Sequence, residues 1–137
     1  MPVWSMRLQR SALIHLVMGA TLGAWLLAAG STGLTLPYDR LMAAHGELLL
    51  VGWLLQFTMG VAYWMLPKHA AGDSRGPAGP IAAAWLLLNG GVLLAVVGQT
   101  IDGATGIVAA GRLAEAGALA AFAANAWPRI KPFGAGR

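Results

Sequence analysis

No cysteine occurs among the 137 residues. That absence removes disulfides, thiolate metal sites, iron–sulfur clusters and covalently attached c-type haem, and leaves histidine as the obvious soft ligand. Charge is nearly as scarce. Charged residues make up 10% of the chain, against roughly 25% in ordinary soluble domains. Apolar residues make up 58%, with a mean hydropathy of +0.66, and they gather in long blocks that only a bilayer solvates well. The net charge of +4 and a pI near 10.4 resemble a nucleic-acid signal. However, the basic residues stand singly at the ends of the apolar blocks and form no patch, so no nucleic-acid partner is expected.

Four blocks approach the length of about 20 residues that a spanning helix needs. They are residues 11–30, 42–66, 80–97 and 104–127. Arg7 and Arg10 precede the first block, but that block is too long for a signal-peptide core and further spans follow, so it reads as a retained helix. Gly30-Ser31-Thr32-Gly33 and Pro37-Tyr38-Asp39 separate the first two blocks, and Pro67 with the run from Gly72 to Pro77 separates the next two. The link around residues 99–103 is short, which makes the last two helices antiparallel neighbours. Arg7, Arg10, Lys68, Arg75, Arg129, Lys131 and Arg137 fall on one side and Arg40 on the other. That bias places both termini and the middle loop in the cytoplasm. Trp4, Trp64, Trp85 and Trp127 gather at the same interface as an aromatic belt. The expected architecture is one all-α integral membrane domain over 1–137, a four-transmembrane-helix bundle, N-in and C-in, in a bacterial-type inner (plasma) membrane.

The second block carries the most informative polar residue. His45 lies about one turn inside its outer end, and an imidazole at that depth needs burial in protein or a coordinated ion. At 100° per residue it shares a face with Leu49, Gly52, Gln56, Met59 and Tyr63, whereas Glu47 points the other way with Val51, Leu54, Thr58 and Val61. A His-x-Glu chelate is therefore disfavoured. Gly52 admits either a flat ring or another helix backbone. His15, about one turn from the cytoplasmic end of the first block, should differ in height from His45 by roughly 15–20 Å. The pair should therefore not ligate one haem within one protomer, and His69 lies in the inner loop. His15, Gly19 and Gly23 follow at i, i+4 and i+8, a packing pattern first. Asn89 with Gly90 and Gly91 likewise reads as interhelical contact. Arg112 and Glu115 are close on the fourth helix, at about the depth of Glu47. They form either a charge network between the second and fourth helices or, through Arg112, a contact to a haem propionate.

The stretch His45-Gly46-Glu47-Leu48, then Gly52-Trp53, then Gly60-Val61-Ala62-Tyr63-Trp64-Met65-Leu66-Pro67 resembles the second transmembrane helix of the haem–copper oxidase catalytic subunit and of the nitric oxide reductase large subunit. The resemblance spans residues 44–67, with Glu47 where those relatives carry Asn or His. It implies that His45 is an axial ligand of a non-covalent low-spin haem b near the outer face. It implies equally that the four helices lack the copper and active-site haem ligands, which come from later helices of that family. With no second outer-half histidine, the opposite face of the iron falls to an open position, to Met42, or to His45 of a second copy in a homodimer whose two-fold axis runs along the membrane normal.

The resulting expectation is a haem b-binding membrane protein with His45, Gly52 and Arg112 as its cofactor-binding residues and His45 on the metal. Its role is electron transfer or haem or gas sensing, as a homodimer or within a larger respiratory complex, and not stand-alone catalysis. Two other readings stay open: a haem-free accessory subunit or assembly factor, and a small proton or metal carrier built on Glu47, Arg112 and Glu115.

Overall fold

The computed structural model describes residues 1–33, 37–68 and 75–130; those residues are helical with short connections and contain no strand. His69, Lys131 and Arg137, named above, and residues 72–74 of the run to Pro77 lie outside the described residues. Four helices are long and apolar enough to cross a membrane.

Helix α1 runs Val3–Thr32. It starts eight residues before the expected boundary because nothing between Pro2 and Ser11 breaks a helix; Arg7, Gln9 and Arg10 are strong helix formers, polar but not loop-making. Gly33 ends it in the left-handed conformation, at φ 70°. The second span is continuous from Tyr38 to Met65 and is not uniform. It consists of α2 (Tyr38–Glu47), a π-helical stretch over Leu48–Leu55, and α3 (Gln56–Met65). Leu66 turns to extended backbone before Pro67. Helix α4 covers Ala78–Thr100 and α5 covers Thr105–Ala126, followed by a 3₁₀ turn over Trp127–Arg129.

The helices pack in chain order, with α1 against the second span, the second span against α4, and α4 against α5. The last pair lies closest. A Cβ at Gly111 would come within 2.7 Å of the Ala95 backbone, and one at Gly91 within 2.8 Å of the Gly111 carbonyl. Only glycine permits that approach of backbone to backbone. Gly103, at φ 72°, makes the short turn between them. Met59, Ala84, Leu88 and Ala118 form one core cluster and Leu8, Tyr63 and Ile81 a second, with Phe122 packed against both. Large apolar side chains such as Leu27, Leu50, Leu86 and Leu113 cover the outside, the surface a bilayer would solvate. In the Asn89-Gly90-Gly91 stretch the interhelical contact is made at Gly91, while the Asn89 amide donates to the Trp85 carbonyl of its own helix at 2.7 Å.

Candidate functional site

The α1–second-span interface is built on a reciprocal arrangement. The His15 ring fills the space beside Gly52, where a Cβ would meet its Cγ at 2.8 Å. The His45 ring fills the space beside Gly23, where a Cβ would meet its Cε1 at 2.5 Å. Each histidine thus seats on a glycine of the other helix. His15 Nδ1 lies 3.1 Å from the Gly52 carbonyl and 3.1 Å from Gln56 Oε1. A carbonyl only accepts, so Nδ1 carries the proton. His45 Nδ1 lies 2.9 Å from the Gly19 carbonyl, and the same logic places the proton on Nδ1 and the lone pair on Nε2. Serine continues the interface, Ser5 Oγ donating to the Gly60 carbonyl at 2.7 Å.

The π-helical stretch begins three residues after His45 and contains Gly52. Such stretches are rare and mark places where a side chain enters the backbone ladder or a site is formed; here the Gly52 carbonyl that receives His15 sits within it. The interruption also changes the face expected for a regular α-helix. Gly52 belongs to His15 and not to the space beside His45. The two imidazoles are closer in height than expected, because α1 begins at Val3 and His15 lies about three turns into it. His45 meets α1 four to eight residues beyond His15, roughly 6–12 Å along the axis.

Glu47 turns away from α1 toward α4 and α5. Arg112 Nη1 lies 2.5 Å from Glu47 Oε2 and 3.1 Å from Glu115 Oε2, and Gln99 Nε2 donates to Glu47 Oε2 at 3.4 Å. The charge network between the second span and the last helix is therefore present, and it engages Arg112 apart from His45. Of the three residues expected to hold a cofactor, His45 faces α1, Gly52 lies under His15, and Arg112 lies with the two glutamates; they do not converge. Among the described residues there is no group of three histidine, cysteine or acidic side chains placed to hold a metal ion.

Sequence reasoning missed Arg129. It is fully buried and closes the end of the second span. Its Nε donates to Pro67 O at 2.9 Å, Nη2 to Tyr63 O at 2.8 Å and Leu66 O at 2.9 Å, and Nη1 to Asn125 Oδ1 at 3.3 Å. The guanidinium also lies 4.9 Å from the Tyr63 ring centroid. A cation on the terminal carbonyls of a helix meets the negative end of its dipole. In the sequence it is one more positive charge on the inner side, and its spacing does not reveal the role.

No family model, no curated protein and no solved structure matches the chain.

Proposed function

We propose that the chain is a multi-pass protein of a bacterial-type inner membrane, with both termini cytoplasmic, that binds haem b through His45 Nε2. One observation carries the reading: the Nδ1–H of His45 is held by the Gly19 carbonyl at 2.9 Å. Iron-ligating histidines have their other ring nitrogen fixed in this way, which sets the tautomer and the ring plane. The half-buried ring fits one axial ligand. Gly52 and Arg112 are engaged elsewhere, and of the three sources for the opposite face of the iron, an open position, Met42 or a second copy, the reading takes the second copy. His45 of a second copy would stand at equal depth in a two-fold dimer and could hold the same group. A haem held there by histidines alone would supply one-electron transfer. The chain's own part is to hold the ring, exclude water with the apolar surfaces of α1 and α2, and keep the Nδ1 proton on Gly19.

The experiment is a pyridine haemochrome assay on detergent-purified protein of known chain concentration. One haem per two chains supports the dimer; one haem per chain contradicts it.

A second reading is a haem-free accessory subunit of a respiratory membrane complex. The reciprocal seating of His15 and His45 favours it, since packing alone gives both rings a role. It predicts no chromophore and a partner that stays associated after His45→Ala.

A further inference from the structure

The charge balance around Arg112 is incomplete. Two carboxylates, Glu47 and Glu115, meet one guanidinium within apolar spans, which leaves one negative charge over. An uncompensated charge in that setting is expensive. An independent feature points the same way. Glu47 Oε1, Glu115 Oε1 and Gln99 Oε1 are buried without a hydrogen-bond partner, on glutamate side chains only 2% and 9% exposed. All three are acceptors. What the cluster lacks is a donor, and a proton is the smallest one.

We propose that Glu115 is a proton-binding site, held as the neutral carboxylic acid and donating to the Glu47 carboxylate beside it. One proton cancels the surplus charge and converts one orphaned acceptor into a donor. Its place follows from the partners. Glu47 receives Arg112 at 2.5 Å and Gln99 at 3.4 Å, whereas Glu115 receives Arg112 alone, at 3.1 Å. The better-supplied carboxylate is the one that stays ionised. Both Oε2 atoms lie on the same Arg112 Nη1, at 2.5 Å and 3.1 Å, which makes the two carboxyls neighbours. Among the described residues, the elements packed around the cluster add no further charge to it. Helix α4 carries no ionisable residue and contributes Gln99. From α1 and the second span, His15 and His45 are engaged across their shared interface. Arg40 and Asp102 pair with each other at the helix ends. A cavity of about 300 Å³ lined by Ala43, Gly46, Glu47, Gln99 and Arg112 lies on the Glu47 side of the cluster, with the half-exposed Arg112 side chain in its wall.

The test is infrared spectroscopy of the full chain in lipid at neutral pH, with and without ¹³C-glutamate. Glu47 and Glu115 are the only glutamates in the chain, so a protonated-carboxyl stretch that shifts with the label belongs to one of them. The expected result is such a band in the wild type and its loss in Glu115→Gln, with the thermal midpoint of that variant kept and that of Glu47→Gln lowered. Glu115→Asp serves if the glutamine variant does not fold: the band should persist but no longer respond to the glutamate label. No label-sensitive band in the wild type overturns the proposal, as does a label-sensitive band that survives in Glu115→Gln or Glu115→Asp. Haem content enters none of these outcomes.

Discussion

His15 and His45 lie on opposite sides of one helix interface, each ring seated on a glycine of the other's helix, Gly52 and Gly23 respectively. The arrangement gives two polar rings, costly in an apolar span, a carbonyl each. It also lets two helices approach closely through residues with no side chain. The two histidines differ in consequence. His15 is buried, with both of its acceptors supplied by the second span; His45 is half-buried, and the Nδ1 contact leaves its lone pair on Nε2.

The glycine seats are therefore specific. Gly23→Ala would place a methyl 2.5 Å from His45 Cε1, and overpacking of this kind costs about 1–3 kcal/mol. The expected outcome is a lowered thermal midpoint in detergent together with loss of the haem proposed at His45. Gly30→Ala, where nothing lies within 4 Å, should change neither. Equal effects of the two substitutions in a thermal-shift assay would contradict the packing described.

His15→Ala strands the buried Gly52 carbonyl and Gln56 Oε1. Burying such groups without a donor costs about 1–3 kcal/mol. The variant should lose stability while retaining haem, and His45→Ala should lose haem with the smaller loss of stability. Circular dichroism melts paired with haem quantification separate the two.

Arg129→Ala removes a buried cation from three terminal carbonyls and Asn125. A loss of about 2–4 kcal/mol is expected from the unpaired groups. Arg129→Lys should recover little, because an ammonium cannot serve the planar fork that reaches Tyr63, Leu66 and Pro67 together. Full recovery by lysine would show that charge alone matters there.

Glu47 and Arg112 should be coupled. A double-mutant cycle with Glu47→Gln and Arg112→Gln is expected to give about 1–2 kcal/mol, reduced from the value for a fully buried pair because the Arg112 side chain is half exposed. Additive effects in thermal denaturation would count against a direct pair.

The absence of native cysteine makes single-cysteine reporters clean. The proposed orientation, with both termini inside, predicts that Ile101→Cys reacts with a membrane-impermeant maleimide on intact cells and Ala78→Cys only after permeabilisation. The reverse pattern would invert the topology.

The four spans were legible because their apolar runs are long and their breakers plain. The start of α1 was not, since Arg7, Gln9 and Arg10 look like a flank by polarity although they are helix formers that carry the buried Ser5 and Leu8. The π-helical stretch was illegible for a different reason. Nothing in Leu48–Leu55 demands it locally, and its carbonyl partner, His15, is 37 positions away. That distance also hid which glycine belongs to which histidine. The Glu47–Arg112–Glu115 network was readable from depth and helical angle. The role of Arg129 was not, because a capping arginine and a topology-setting arginine look the same in sequence.

The most direct measurement is the visible spectrum of the detergent-purified protein, oxidised and dithionite-reduced, for the wild type, His45→Ala and His15→Ala. A Soret band with sharp reduced α and β bands, lost in His45→Ala and kept in His15→Ala, is the expected result. A wild-type protein expressed with ample haem that shows no Soret band, or a band that survives His45→Ala, would contradict haem binding at His45.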